Sequence, residues 1–219
     1  MKVTDNVYFF PETGMMDCNT CVIKDDITVL IDPGLDRYLP GLLEALKMDD
    51  IRPEDIDLIL NTHLHLDHYW ACDELKRITG ARIGMHPLQK ESYETTVVGV
   101  SRVFGMDPVH LKEDEIMDGN LNTGKLEFEI IHAPGHSPDS ICFHNSDQKV
   151  VICGDVVFAG NTGRVDFPGG SGKQLKESIE SLAKLDIEYL LPGHMGSVSG
   201  SDNVEKNFEF VRKHVFPWL

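Results

Sequence analysis

The run Asn61-Thr62-His63-Leu64-His65-Leu66-Asp67-His68-Tyr69-Trp70 constrains this chain more than any other stretch. Between His63 and His68 it offers three imidazoles and one carboxylate, side chains that bind divalent transition metals. Before it, Ile56-Asp57-Leu58-Ile59-Leu60 is an apolar run of strand type, entered through the turn-prone Arg52-Pro53-Glu54-Asp55. After it, Tyr69 to Thr79 carries apolar residues at Trp70, Ala71, Leu75 and Ile78 and stops at Gly80, which predicts one helix with a C-cap glycine. The polar side chains therefore fall on a strand-to-helix turn, where open α/β sheets place their sites. A single histidine here would read as a structural or surface residue. Four such groups together would each need a partner if buried, and if exposed would carry Leu64 and Leu66 into water.

The same arrangement recurs downstream. Lys125 to Ile131 reads as a strand running into Ala133-Pro134-Gly135-His136-Ser137-Pro138. Lys149 to Cys153 is a strand ending in Gly154-Asp155, and Ile187 to Leu191 is one ending in Pro192-Gly193-His194. In each case a short apolar strand ends, a tight turn follows, and a His or Asp stands at the turn. Residues far apart in sequence can converge in space if those strand ends lie side by side.

The remaining elements are read more simply. Val7 to Phe10 is an edge strand closed by Pro11, and Cys18 to Ile23 and Ile27 to Ile31 form a hairpin that Asp32-Pro33-Gly34 ends. Leu39 to Met48, Gln174 to Leu185 and Asn203 to Val215 have helical faces, Arg82 to Met85 and Ile141 to Phe143 are strands, and His86-Pro87 opens a helix into Glu94. Thr95 to Asn122 mixes small apolar groups with acidic ones and receives no role. No repeat or linker divides the chain, and 219 residues suit one well-cored domain, residues 1–219.

Composition excludes several classes. Hydrophobic content of 41% is ordinary for a globular protein, and no apolar run is long enough to cross a bilayer. A net charge of −16 with scattered Lys and Arg repels nucleic acid and anionic membranes, which leaves a small-molecule substrate as the expected partner. The opening residues lack the apolar core of a secretory signal, so a cytoplasmic location is the expectation. The five cysteines, Cys18, Cys21, Cys72, Cys142 and Cys153, are odd in number and widely spaced, which argues for reduced thiols. Cys18-Asn19-Thr20-Cys21 has no second pair to complete a zinc site and enters a strand, so it is read as small buried residues.

Counting the candidate ligands gives five histidines and two aspartates, His63, His65, Asp67, His68, His136, Asp155 and His194. That exceeds one tetrahedral metal. Two ions about 4 Å apart, sharing a carboxylate and a water, would use all seven. The nitrogen-and-oxygen set suits Zn, Fe or Mn, with Zn the first expectation.

These residues resemble the metallo-β-lactamase superfamily. The match is T-H-x-H-x-D-H at Thr62 to His68, then His136, Asp155 and His194 in the family's order. The resemblance implies an α/β fold, a four-layer αββα sandwich of two mixed β-sheets flanked by helices. It assigns His63, His65 and His136 to one metal and Asp67, His68 and His194 to the second, with Asp155 bridging. An oxygen bridge at Asp155, where zinc β-lactamases often carry cysteine, looks like the glyoxalase II branch. Histidine at position 65 points away from the flavo-diiron oxidoreductases, which carry glutamate there. Gly163-Arg164-Val165-Asp166-Phe167-Pro168-Gly169-Gly170 is similar to a segment shared by short glyoxalase II-like hydrolases and persulfide dioxygenases. About 25 residues follow His194, and the helical C-terminal domain with which longer glyoxalase II enzymes grip glutathione is not expected here.

The resulting expectation is metal-assisted hydrolysis of a thioester or related acyl ester or lactone, with Asp67 and Asp155 as catalytic carboxylates. The alternatives are a persulfide dioxygenase with one iron at His63, His136 and Asp155, and a non-enzymatic metal-binding domain. Arg164 is a candidate for supporting Asp155 or meeting an anionic substrate, against a local ion pair with Asp166. His132 is read as a strand residue near His136, and Trp70, Phe158 and Phe167 as core in preference to pocket lining.

Overall fold

Alternation of side chains along the strands sorts the molecule into layers. Val7 and Phe9 point to one face of the first strand and Tyr8 and Phe10 to the other, and all four are buried. Both faces of this strand are therefore covered, as period-two apolar alternation alone would not require. The computed structural model describes all 219 residues and arranges twelve strands in two six-stranded sheets. The first holds β1 (Val7–Phe10), β2 (Thr20–Lys24), β3 (Thr28–Ile31), β4 (Ile56–Leu60), β5 (Arg82–Met85) and β6 (Glu115–Ile116), neighbours in that order. The second holds β7 (Leu121–Asn122), β8 (Glu127–His132), β9 (Ile141–Asn145), β10 (Val150–Gly154), β11 (Tyr189–Pro192) and β12 (Val198–Ser199), likewise in chain order.

Three apolar clusters separate four layers. Val7, Phe9, Ile23 and Leu58 of the first sheet meet Phe128, Phe143, Ile152 and Leu191 of the second. The outer face of the first sheet, with Tyr8, Val22, Leu30 and Ile59, packs on α1 (Leu39–Met48), on α2 (Leu66–Tyr69) and on α3 (Cys72–Thr79). The chain then adds α4 (Pro87–Glu91), a π-helical turn and α5 (Val100–Val103). The outer face of the second sheet, with Cys142, Val151 and Leu190, packs on α6 (Gly172–Leu182) and α7 (Ser201–His214). This is the expected αββα sandwich of two mixed sheets.

Strand direction decides where the strand ends fall. β3 and β4 are parallel. β10 is parallel to β11 and antiparallel to β9, which is antiparallel to β8, so β8, β10 and β11 run the same way. Their carboxyl ends carry the polar turns to one edge of the sandwich.

Two sequence expectations need correction. The single helix over Tyr69 to Thr79 is two helices, broken at Trp70-Ala71. The cause is the 32–34 turn, where the Gly34 N–H donates to the His68 carbonyl (3.1 Å) and the Gly34 carbonyl accepts from the Ala71 N–H (2.9 Å), diverting the backbone groups a continuous helix would use. The C-cap at Gly80, φ +79°, is as expected. Thr95 to Asn122, given no role from sequence, contains α5 and two short strands and supplies part of a cavity wall. All five cysteines are buried and unpaired. No helix is long and apolar enough to cross a membrane.

Candidate metal centre

Five strand ends build the site. β4 delivers the 61–68 turn, the turn after β8 delivers His136, β10 delivers Asp155 and β11 delivers His194. The fifth, β3, delivers Asp32, which sequence reasoning treated only as the end of a hairpin. Asp32 is buried with φ +59°. Its carboxylate accepts from the Thr62 N–H (2.8 Å), the Thr62 hydroxyl (2.7 Å) and His68 Nδ1–H (3.0 Å). Since the Thr62 hydroxyl proton points to Asp32, its oxygen is free to accept from His63 Nδ1–H at 3.1 Å. One carboxylate thus orients two imidazoles, His68 directly and His63 through Thr62. Ile31-Asp32-Pro33-Gly34 has the same strand-then-turn form as the other sites, and that form was the signal available in the sequence.

The other rings are fixed in the same manner. His136 Nδ1–H donates to the Arg164 carbonyl (2.7 Å) and His194 Nδ1–H to Glu12 (2.9 Å). With Nδ1 engaged outward, the Nε2 atoms of His63, His68, His136 and His194 turn inward. His65 presents Nδ1 to His136 Nε2 at 2.8 Å. Asp155 lies among them, 3.3 Å from His68 Nε2 and 3.4 Å from the Nε2 atoms of His136 and His194, and Asp67 is 3.4 Å from His194 Nε2. Asp139 holds the Leu64 N–H and the Thr96 hydroxyl, pinning the histidine turn from behind. Backbone must come close for this to fit. A Cβ on Gly163 would run into the Asp155 carbonyl oxygen, and one on Gly193 into the Asp155 carboxylate.

All seven predicted ligand residues therefore converge. Their donor atoms fall into groups within 4.8 Å, namely His63, His65 and His136, then His63, His68 and Asp155, then Asp67, His68 and His194. His63 Nε2, His65 Nε2, His68 Nε2 and Asp155 Oδ1 are buried without a hydrogen-bond partner. Orphaned buried donors and acceptors cost free energy, and a divalent cation among them removes that cost. The donor set fits such an ion.

Charge follows the geometry. Burial, reinforced by the nearby His136 imidazole, pulls His65 down to about 3, so it is neutral at pH 7. Burial also works against charge on His194, but the Asp155 and Asp67 carboxylates outweigh it and raise His194 to about 11. In the metal-free protein this ion cluster stabilises fully below the ordinary histidine pKa of ~6.5 and is lost as pH rises through about 11. A ligand imidazole must be neutral, so metal uptake expels the His194 proton and tightens with rising pH over that range. Titration calorimetry at pH 7 in buffers of different ionisation enthalpy is expected to show at least one proton released per chain. A buffer-independent heat would contradict this electrostatic picture.

The ligand cluster opens into a cavity of about 410 Å³. Phe158 and Phe167, expected in the core, instead line it, with Val100 and Phe104 from the segment that sequence left unassigned. The Arg164 side chain forms a two-point ion pair with Asp166 and lies 4.1 Å over the Phe167 ring, so the local pairing is what the structure contains and Asp155 is not its partner. His132 sits at the end of β8 with Nε2 2.9 Å from the Pro138 carbonyl.

Residues 13–194 match the family described as Metallo-beta-lactamase superfamily. The chain belongs to that superfamily. Within it, the chain is 34% identical over 206 residues to "Hydroxyacylglutathione hydrolase GloC" of Haemophilus influenzae, spanning 86% of this chain and 90% of that one. It is 33% identical over 178 residues to "Probable metallo-hydrolase YqgX" of Bacillus subtilis, spanning 79% and 82%. Among solved structures, the B3 metallo-β-lactamase BLEG-1 superposes with a TM-score of 0.76 at 26% identity, covering 95% of this chain and 97% of that one. TTHA1623 in a di-iron-bound form superposes at 0.73 and 27% identity, covering 94% and 98%. This superfamily member carries the His/Asp cluster of a metallo-hydrolase, and fold and cluster together imply divalent metal ions.

Proposed function

We propose that this chain is a dinuclear metal-dependent acyl hydrolase acting on a small-molecule thioester or a related ester or lactone. The observation that carries the reading is the inward convergence of five imidazoles and two carboxylates, with the outward nitrogens of four of the imidazoles, His63, His68, His136 and His194, already hydrogen-bonded. In this reading His63, His65 and His136 hold one ion, Asp67, His68 and His194 hold the second, and Asp155 bridges. The group around Asp67 offers a second position beyond the His63, His136 and Asp155 that a single iron would need. Zinc is the first choice for both positions, and the di-iron form of TTHA1623 keeps iron as the competitor.

Divalent ions held there supply a hydroxide from water at neutral pH and polarise a substrate carbonyl. The protein does the rest. Asp67, beside His194, would orient the attacking oxygen by accepting a hydrogen bond from it. Phe158 and Phe167 exclude water from the reacting face. Apart from the ligand set, the cavity lining holds no group able to protonate a leaving group near neutral pH, since Thr162 offers only a hydroxyl and the Arg164 guanidinium, paired with Asp166, keeps its proton. A thiolate leaves without that help, which is why a thioester suits the site better than an amide. Arg164 lines the cavity with its charge taken up by Asp166, so it would meet a substrate as a paired rather than a free cation. The GloC relative matches this chain along 90% of its own length, which supports a hydrolase reading at the level of the whole relative.

The test is metal analysis on protein purified anaerobically without added metal, followed by thioester assays. About two metals per chain and chelator-sensitive thioester cleavage are the expected results. One iron per chain with persulfide-dependent oxygen uptake would replace the hydrolase with the dioxygenase.

A further inference from the structure

A second cavity, a groove of about 300 Å³, adjoins the reaction cavity and shares Met16 and Leu66 with it. Its other apolar walls are Leu35, Trp70 and Met106. Trp70, expected in the core, thus divides its surface between the packed interior and this groove. Met15, next to Met16 in the chain, and Phe104 of the reaction cavity are exposed. A largely apolar groove beside the metal cavity marks a place where something apolar lies. Met16, at the junction of the two cavities, has φ +59°, a left-handed conformation that a residue bearing a Cβ adopts only when its surroundings hold it there.

Charge points the same way. Neither lining contains a lysine, and both of their arginines are engaged. Arg164 is paired with Asp166, while Arg37 donates to the Met15 carbonyl oxygen and lies 4.7 Å over the Tyr38 ring. A substrate arm carrying carboxylates finds no free cation along this path. An uncharged hydrocarbon finds a groove whose walls are apolar except at Asp36 and Arg37.

We propose that the groove receives the hydrocarbon chain of the substrate's acyl group, which makes Met16, Leu35, Leu66, Trp70 and Met106 the residues that set chain-length preference. The acyl side is chosen because it stays bonded to the reacting carbon through attack and departure of the thiol, so its burial can stabilise the transition state. The inference rests on the acyl-hydrolase reading and narrows its substrate class.

The test uses the metal-loaded protein and acetyl, butanoyl, hexanoyl and octanoyl thioesters of one common thiol, N-acetylcysteamine, with S-lactoylglutathione as comparator. The expected kcat/KM rises about threefold per added methylene until the groove is filled. In Met106→Lys, at an exposed position, and in Leu35→Asp, the octanoyl-to-acetyl ratio is expected to fall about tenfold or more. A flat profile with active acetyl thioester, an unchanged ratio in both variants, or a preference for S-lactoylglutathione over octanoyl thioester would overturn the groove assignment and leave the hydrolase standing. So would a chain-length effect seen only when the chain is moved to the thiol. Turnover by metal-loaded protein of none of the thioesters, nor of the corresponding oxygen esters and lactones, would overturn both.

Discussion

Replacing Asp155 by Ala is expected to lower thioester hydrolysis by at least about a thousandfold and to reduce bound metal from about two ions per chain to one or fewer. The carboxylate sits within 3.4 Å of the Nε2 atoms of three histidines, and no other acidic side chain approaches all three. Burial opposes ionisation of Asp155, but the His68, His194 and His136 imidazoles hold it well below the usual carboxylate range, so it stays an anion at working pH. Removing it leaves the imidazoles of two ligand groups facing each other with no negative charge between them. Metal content by mass spectrometry and initial rates on the same preparation decide the matter. Full activity in the variant would end the bridging assignment. Asp155→Asn, which keeps the shape and one oxygen, is expected to retain the fold while losing most of the second metal, which separates loss of chemistry from loss of structure.

Asp32→Asn is expected to weaken metal binding at the Asp67, His68 and His194 position by about 10–100-fold, and to lower stability by about 1–3 kcal/mol. Asp32 touches no candidate metal position itself. Its oxygens accept from His68 Nδ1–H and from Thr62, which in turn accepts from His63. An amide nitrogen in place of the oxygen beside His68 favours the tautomer with the proton on Nε2, the atom that should face the ion. A residue with a purely structural role would move the melting temperature without changing the affinity of one position selectively. Competition titration with a metal indicator, read beside thermal unfolding, distinguishes the two. Affinity unchanged at both positions in the variant would remove Asp32 from the machinery.

The fold was legible where apolar periodicity and punctuation agreed. Ile56 to Leu60, Arg82 to Met85 and Val150 to Gly154 form strands within a residue or so of where they are read, since short β-rich runs bounded by turns have few other ways to bury themselves. The helix after the histidine motif was over-read because its interruption comes from Gly34, a residue 36 positions before Trp70 that local pattern cannot see. Val100 and Phe104 were illegible for a related reason. Their segment is a π-helical turn running into a single α-turn, which has neither a 3.6-residue face nor a two-residue alternation. Phe158 and Phe167 looked like core because an aromatic residue lining a cavity and one filling a core have the same local sequence.

The ligand types were determined by the sequence itself. Imidazoles and carboxylates placed after apolar strand ends limit the chemistry to a few metals, and their number argues for two. Their outer partners were decided by tertiary structure alone. Glu12 lies 182 residues from His194, and the Arg164 carbonyl that holds His136 belongs to a residue noticed only for its side chain. Such contacts depend on which loops the two sheets bring together at one edge, and no spacing rule records them. The groove beside the site is of the same kind, since Met16, Leu35, Trp70 and Met106 meet only after the chain has folded. Metal chemistry is written in residue type, which is local. Orientation, exclusion of water and choice of substrate depend on surfaces assembled from distant segments, and those exist only in three dimensions.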